Sequence, residues 1–477
     1  MMRRFLSGLV VLCCASCSVG PDYVRPEIAA PPAYKELDGW KTAQPSDTVP
    51  RGPWWEVFGD PTLNQLEQEA DAANQTVAAA YASYAQARAL VAAARANYYP
   101  QVTIGVGATK GRVSGTLSRF SVKHSQSDYV LPLDANWEID LWGKVRRAVE
   151  SAEADAEASA GDLETARLSL QAELAADYFQ LRGDDAQLDL LQRSVTDYEH
   201  SLGVTQNRYQ AGVAGRSDVV NAETLLESTR AQAIDVAMLR AELEHAIAVL
   251  TGQPPETLTL PPLPLEAEPP SVPVGVPSQL LERRPDIAAA ERRVASANAQ
   301  IGFERSAYFP ALTISASAGF ETGDASKWFK WASRFWSVGP ALSETVFDGG
   351  LRGAHTDQAR AAYDQAVADY RESALVAFQE TEDSLVQLRL LEQESLAQNA
   401  AVTAATESVR IANNQYNAGT INYLDVVVVQ TAELNSARAA VDIASRRMVA
   451  AVGLVKALGG GWETPPAPPR APPGPTP

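Results

Sequence analysis

GKVRRAVESAEADAEASAGDLETARLSLQAELAADYFQLRGDDAQLDLLQRSVTDYEHSLGVTQNRY, residues 143–209, contains no proline and is built mostly from Ala, Leu, Glu, Gln, Arg and Asp, largely good helix formers. Pro132 is the last proline before it and Pro254 the first after. The stretch predicts one helix from Gly143 to Tyr209 that, at about 1.5 Å per residue, extends roughly 100 Å, far longer than a globular domain is wide. Leu174, Leu181, Leu188, Val195, Leu202 and Tyr209 recur every seven residues, the seam of a coiled coil rather than the wider stripe of a surface helix. Such a helix cannot fold alone.

What flanks the rod occurs twice. Asn97-Tyr98-Tyr99-Pro100-Gln101-Val102-Thr103-Ile104 returns as Ala307-Tyr308-Phe309-Pro310-Ala311-Leu312-Thr313-Ile314 at an offset of 210. Arg208-Tyr209-Gln210-Ala211-Gly212 returns as Gln415-Tyr416-Asn417-Ala418-Gly419, and Asp218 as Asp425, both at an offset of 207. Near-constant offsets imply tandem duplication. Between the copies, 253–285 holds ten of the 30 prolines, which prevents helix and marks a connector. Each copy reads helix, strand, loop, strand, very long helix, shorter helix. The first, over 62–252, has Asn64 to Asn97, two strands, Gly143 to Tyr209 and Ser217 to Leu250; the second, over 286–460, has Asp286 to Ala307, two strands, Gly353 to Tyr416 and Tyr423 to Leu458. Leu388, Val402, Val409 and Tyr416 keep the sevenfold spacing in the second long helix.

The strands alternate. Val102, Ile104, Val106 and Ala108 alternate with Gln101, Thr103, Gly105 and Gly107, and Leu312, Ile314, Ala316 and Ala318 with Thr313, Ser315 and Ser317. Tyr129, Leu131, Leu133, Ala135, Trp137, Ile139 and Leu141 alternate with Asp128, Asp134, Asn136, Glu138 and Asp140, which puts acids on one face only. Trp336, Val338, Pro340, Leu342 and Val346 repeat the pattern less cleanly, because Glu344 interrupts the apolar face. About ten residues per strand is the length that crosses a bilayer when tilted. Four strands cannot close a barrel, and an open sheet cannot sit in hydrocarbon with unbonded edges, so several chains must contribute to one barrel. Two chains would give eight strands and a filled interior; three would give twelve and a lumen.

Composition narrows the function. Acidic residues number 58 against 40 basic, a net charge of −18, which argues against nucleic acid as a partner. The cysteines are Cys13, Cys14 and Cys17, so the body holds no disulfide or cysteine metal site. His124, His200, His245 and His355 lie far apart without metal-ligand spacing. No glycine-rich phosphate loop, nucleophile elbow or paired histidines supports an enzyme, and no cofactor is expected.

Arg3 and Arg4 precede an apolar run from Phe5 to Cys14, too short to span a bilayer and suited to a signal peptide over 1–16. Cys14-Ala15-Ser16-Cys17 resembles the lipobox of bacterial lipoproteins, with Cys14 where Leu is usual, which makes Cys17 the expected lipidation site; Ser18 after it fits outer-membrane sorting. Residues 17–61 form an extended amino-terminal segment rich in proline and tryptophan. Within it, Gly20-Pro21-Asp22-Tyr23-Val24-Arg25-Pro26 and Trp54-Trp55-Glu56-Val57-Phe58-Gly59-Asp60-Pro61-Thr62-Leu63 closely resemble the amino-terminal signature of outer-membrane efflux lipoproteins, the NodT and OprM-like branch of the TolC-like family. Leu280-Leu281-Glu282-Arg283-Arg284-Pro285-Asp286-Ile287 resembles that family's start of the second copy.

The resemblance implies a mainly α chain carrying part of a membrane β-barrel: a homotrimer whose twelve-stranded barrel continues into a twelve-helix periplasmic tube. It implies an exit duct in the outer membrane of a Gram-negative bacterium, lipid-anchored and spanning, that exports drugs or other small toxic compounds delivered by an inner-membrane pump through a periplasmic adaptor. A structural or adhesive trimeric coiled-coil lipoprotein is the competing reading, and the paired amphipathic strands speak against it. Asp128, Asp134, Glu138 and Asp140 are expected to line the pore. The helix-tip turns fall at Tyr209, Gly212 and Gly419. The periplasmic gate transfers to Asp218, Tyr416 and Asp425, with Tyr416 hydrogen-bonded to Asp218; a basic lock residue of the family falls at Ile421 and a second constriction acid at Val428. Asp218 and Asp425 also suit caps of the shorter helices. The proline-rich tail, 461–477, is expected to be disordered.

Overall fold

The long stretch is one helix, and so is its duplicate. The computed structural model describes residues 19–31, 33–36, 53–112, 125–265, 268–270 and 283–460. The signal peptide, Cys17, His124 and the tail lie outside the described residues. In chain order the elements are α1 (Pro61–Ala73), α2 (Gln75–Ala96), β1 (Gln101–Ile104), β2 (Gly107–Gly111), β3 (Gln126–Ile139), α3 (Lys144–Gln210), α4 (Arg216–Leu250), α5 (Pro285–Ser306), β4 (Ala311–Thr322), β5 (Arg334–Ser343), α6 (Leu351–Asn417) and α7 (Tyr423–Ala457). Two units emerge: one takes in the described residues of Met1–Glu27, Ser83–Ala160 and Ala289–Tyr370, the other those of Ile28–Ala82, Gly161–Ala288 and Arg371–Pro477. Each draws on both copies.

Two expectations need correction. The helix expected over Asn64 to Asn97 is divided at Asn74, whose backbone is extended (φ −66°, ψ 129°). Its amide stabilises the break from both sides: Oδ1 accepts from the N–H groups of Thr76 (2.8 Å) and Val77 (3.1 Å), and Nδ2 donates to the Leu250 carbonyl (2.9 Å). The first strand is likewise split into β1 and β2, both antiparallel to β3 in a single register. Pro132 lies opposite the gap and has no N–H to give; its carbonyl accepts from Gly105 at 3.0 Å.

In the strand-bearing unit the sheet order is β1-β3-β4-β5, with β2 also on β3. The register sorts side chains into rows. Thr103, Asp134, Ser317 and Ser337 lie opposite one another across the sheet, and the neighbouring row is Ile104, Leu133, Ala318 and Trp336 on the other face. The amino-terminal segment lies against this unit's helices. Buried Arg147 donates to the Val19 carbonyl (3.2 Å) and to Asp22 (3.2 Å), Asn298 donates to the Pro21 carbonyl (3.1 Å), and Arg25 donates to Tyr370 (3.0 Å). Gly20 has φ +105°, and a Cβ there would sit 2.4 Å from Gly302 Cα, so the signature's first glycine is fixed by a backbone-to-backbone approach.

In the other unit the signature tryptophan Trp54 is buried and donates its indole N–H to Gln171 (3.0 Å), while Asp60 caps α1 by accepting from Thr62 (2.8 Å) and Leu63 (3.1 Å). An ion network of buried Arg182 and Asp185 with half-buried Arg240 and Glu244 receives the start of the connector: Arg182 donates to the Pro261 carbonyl (2.8 Å), and Asp185 accepts from Leu263 (3.0 Å). The sevenfold seam of α3 is real but double. Leu174 and Leu181 are fully buried, whereas in the last turns the tightest line is Asp184, Leu191, Tyr198 and Thr205. Leu188, Val195 and Leu202 only flank it.

Glu67 on α1 is fully buried, and neither carboxyl oxygen has a hydrogen-bond partner among the described residues. Burial, with the nearby Asp71 carboxylate adding to it, pushes its pKa up to about 9. The folded chain therefore holds a proton that the unfolded chain releases near pH ~4.3, so stability is full below that pH and falls as pH rises toward about 9. Glu67→Gln should stabilise the protein by roughly 1–3 kcal/mol at pH ~8 and by almost nothing at pH ~4. Thermal unfolding at both pH values checks this; an equal shift at both would show that the carboxyl is not held neutral.

Candidate functional site at the helix tips

Both long helices end in the same way because both copies end in Tyr-x-x-Gly. Gly212 (φ +72°) and Gly419 (φ +75°) take the left-handed conformation that closes a helix end. Gly212 N–H donates to the Tyr209 carbonyl (2.9 Å) and Val213 N–H to that of Arg208 (2.9 Å); Gly419 and Thr420 repeat this on Tyr416 (3.0 Å) and Gln415 (3.0 Å). Three residues into the next helix the aspartates fold back. Asp218 accepts from Gly215 N–H (3.3 Å) at the start of α4, and Asp425 from Asn422 N–H (3.2 Å) at the start of α7. Both are caps, and both place negative charge where a helix amino terminus favours it.

Tyr416 departs from expectation. The Tyr416–Asp218 hydrogen bond is not made: the Tyr416 hydroxyl is buried without a partner among the described residues, and the Asp218 carboxylate is engaged by its own helix end. The Tyr416 ring is held instead. It meets Tyr423 edge-on at 5.2 Å and lies under the Arg208 guanidinium at 4.4 Å. Ala222, Ala412 and Val426 complete this cluster, with Ile421 packed against it. An apolar contact thus stands where the family's basic lock was expected. Burial, with the neighbouring Tyr416 hydroxyl adding to it, pushes the Tyr423 hydroxyl up to about 12. Asp425 is exposed, as is Val428 beyond it.

Tyr209 is 44% exposed against 7% for Tyr416, so equivalent tyrosines have opposite environments. Arg208 and Tyr423 were the residues that sequence reasoning did not assign. The available signal was the copy difference itself, Arg208-Tyr209 against Gln415-Tyr416.

The strand acids do not form one set. Asp128 and Asp134 are exposed on the polar face. Glu138 pairs with Lys144 (3.0 Å). Asp140 lies beyond the end of β3 and accepts from the N–H groups of Val145 (3.0 Å) and Arg146 (2.9 Å), so it serves as a helix cap.

This arrangement of duplicated strand pairs and capped long helices has clear relatives. The family model described as outer membrane efflux protein matches residues 66–253 and 276–460. The chain belongs to that family. It is 30% identical over 470 residues to the toluene efflux pump outer membrane protein TtgF of Pseudomonas putida, covering 97% of this chain and 98% of that one. It is 31% identical over 456 residues to the pyoverdine export outer membrane protein OpmQ of Pseudomonas aeruginosa, covering 94% and 95%. The solved outer-membrane channel OprN superposes with a TM-score of 0.86 at 32% identity, covering 94% of this chain and all of that one. The open-state MtrE channel of Neisseria gonorrhoeae gives 0.83 at 27%, covering 94% and 99%. The protein is an outer-membrane efflux channel component that extends into the periplasm, and the adhesive or structural alternative finds no support in these relatives.

The tip geometry separates two kinds of lock. Tyr416→Phe removes an oxygen that bonds nothing among the described residues and should leave the tip amides as protected as before. Arg208→Met loses a cation–π contact of about 1 kcal/mol and should speed exchange around Gly212 and Gly419 roughly fivefold. Hydrogen–deuterium exchange checks both; loosening by Tyr416→Phe alone would mean that the hydroxyl has an acceptor after all.

Proposed function

We propose that three copies of the chain close a twelve-stranded barrel, continued by twelve helices, and form the passive exit duct of a tripartite efflux system. The observation that supports this best is the sheet: one face is apolar across its rows, the other polar, and both edges, β1 with β2 and β5, lack a partner strand among the described residues. In hydrocarbon such edges must be paired, and identical neighbours supply the pairing. Energy comes from an inner-membrane pump, reached through a periplasmic adaptor. The cargo is small toxic compounds, and relatives named for toluene and for pyoverdine are nearly equally similar to this chain. That is consistent with a duct whose cargo is chosen by the pump.

Asp128 and Asp134, repeated threefold on the lumen face, would make the pore prefer cations, since converging carboxylates focus a negative potential. Asp425, exposed at the tip, adds charge at the periplasmic end. That end is closed at rest, with Arg208 and Tyr423 holding Tyr416 in place of a hydrogen-bonded lock. In planar bilayers the native protein should show a cation-favouring reversal potential, and Arg208→Met should raise conductance without preventing trimer formation. An anion-favouring potential, or an unchanged conductance in intact trimers, would overturn the corresponding assignment.

Residues 17–61 are proposed to be tethered through acylation of Cys17. Mass spectrometry of the mature amino terminus should find acyl chains on that cysteine, and an unmodified terminus would reject the anchor. Cys17→Ser should still trimerise, because a lipid anchor holds more weakly than a spanning structure.

A further inference from the structure

The two ends of the sheet differ in charge. The helices join it at one end, where β3 leads into α3, α5 into β4 and β5 into α6. The other end carries the connections from β2 to β3 and from β4 to β5. With the helices in the periplasm, this far end faces the cell exterior.

At the far end the register separates charges by face. Lys110 lies opposite Ser127, on the face shared by Tyr129 and Leu131, and Arg334 lies opposite Phe320, itself opposite Leu131. Both bases therefore terminate the apolar face. The nearby acids fall on the polar face: Asp128 lies opposite Thr109, and Glu321 opposite Val130. At the helix end the residue that continues the apolar face beyond β5 is Glu344, an acid. In a chain of net charge −18, a basic edge confined to one end of one face needs a reason.

The β4–β5 connection adds the rest. Phe329 and Trp331 are 68% and 78% exposed. Their neighbours anchor the connection to the sheet: Trp328 packs on Tyr129 (5.4 Å) and on Phe329 (5.4 Å), and Phe329 on Phe320 (5.8 Å). Arg334 is set over Trp331 and donates to its carbonyl (3.1 Å). Among the described residues Lys327 makes only an exposed pair with Asp324 (3.1 Å), and Lys330 has no ion-pair partner. Exposed rings and bases together at the end of an apolar face suit a bilayer's headgroup level, where aromatic rings sit and cations meet phosphates.

We propose that this rim is a binding site for the phosphate-bearing headgroups of outer-leaflet lipid, with Lys110, Lys327, Lys330 and Arg334 contacting phosphate while Phe329 and Trp331 sit among the headgroups. The proposal rests on the reading of the sheet as a membrane wall. The lipid is the occupant that satisfies both halves of the surface: the rings are contiguous with the apolar face, so a free anion would leave them in water, and the bases complement phosphate rather than hydrocarbon.

The test uses the full-length protein reconstituted in phosphatidylcholine vesicles and titrated with a bis-phosphorylated glucosamine lipid or its dephosphorylated form, with Trp fluorescence and single-channel conductance as readouts. The native protein should bind the phosphorylated form at least about tenfold more tightly, and the triple variant Lys327→Gln, Lys330→Gln, Arg334→Gln should lose that preference while conducting as before. Equal affinity for the two lipids, or an undiminished preference in the triple variant, would overturn the site. Displacement of the lipid by inorganic phosphate at equal concentration would reassign it to a bare anion site. Failure of the native protein to insert and conduct would instead refute the membrane wall, and the proposal with it.

Discussion

Backbone groups that leave water must find partners, and much of this structure follows from that constraint. The strands supply rows of side chains to two faces, but among the described residues β1, β2 and β5 are bonded on one side only. The same rule explains why Pro132 is tolerated in a central strand. Its missing N–H coincides with the gap between β1 and β2, and its carbonyl is still used by Gly105. At the helix ends the rule is met locally, by left-handed glycines after α3 and α6 and by aspartate side chains before α4 and α7.

The caps explain why the expected Tyr416–Asp218 hydrogen bond is not made. A carboxylate that accepts its own helix's amino-terminal N–H already contributes about 1 kcal/mol of helix stability, so recruiting Asp218 to Tyr416 would exchange one bond for another. A cation over an aromatic face needs no such exchange, and in a partly buried setting it is worth about as much as a neutral hydrogen bond. The result is a contact that leaves Asp218 in place. Its weakness suits the gate proposed for these tips.

The duplication, the lengths of the long helices, the strand alternation and the tip glycines were legible because each is written in local periodicity or in the comparison of one copy with the other. What was not legible depended on partners distant in sequence. Asn74 reads as a tolerable helix residue until Leu250 is seen to accept from its amide. The tight line Asp184, Leu191, Tyr198 and Thr205 mixes an acid, an aromatic and a hydroxyl among its members, so a search for repeating aliphatic residues settles on its half-buried neighbour. Asp140 looked like a strand acid because alternation extends one residue past the last ladder bond, where the chain is already turning into α3.

Duplication also sets a limit on symmetry that the tips make visible. The backbone of the two turns is nearly the same, bond for bond, yet one tyrosine is buried and the other exposed. The difference lies one residue earlier: Arg208 of the first copy reaches the ring of Tyr416 in the second, while the reciprocal position holds Gln415, which has no charge to offer Tyr209. Two identical tips would make this contact twice, once in each direction; with Gln415 at the reciprocal position it is made once. Divergence at a single position therefore converts a repeated cap into a pair with a donor and a receiver. That asymmetry lets one tip be clasped while the other stays exposed.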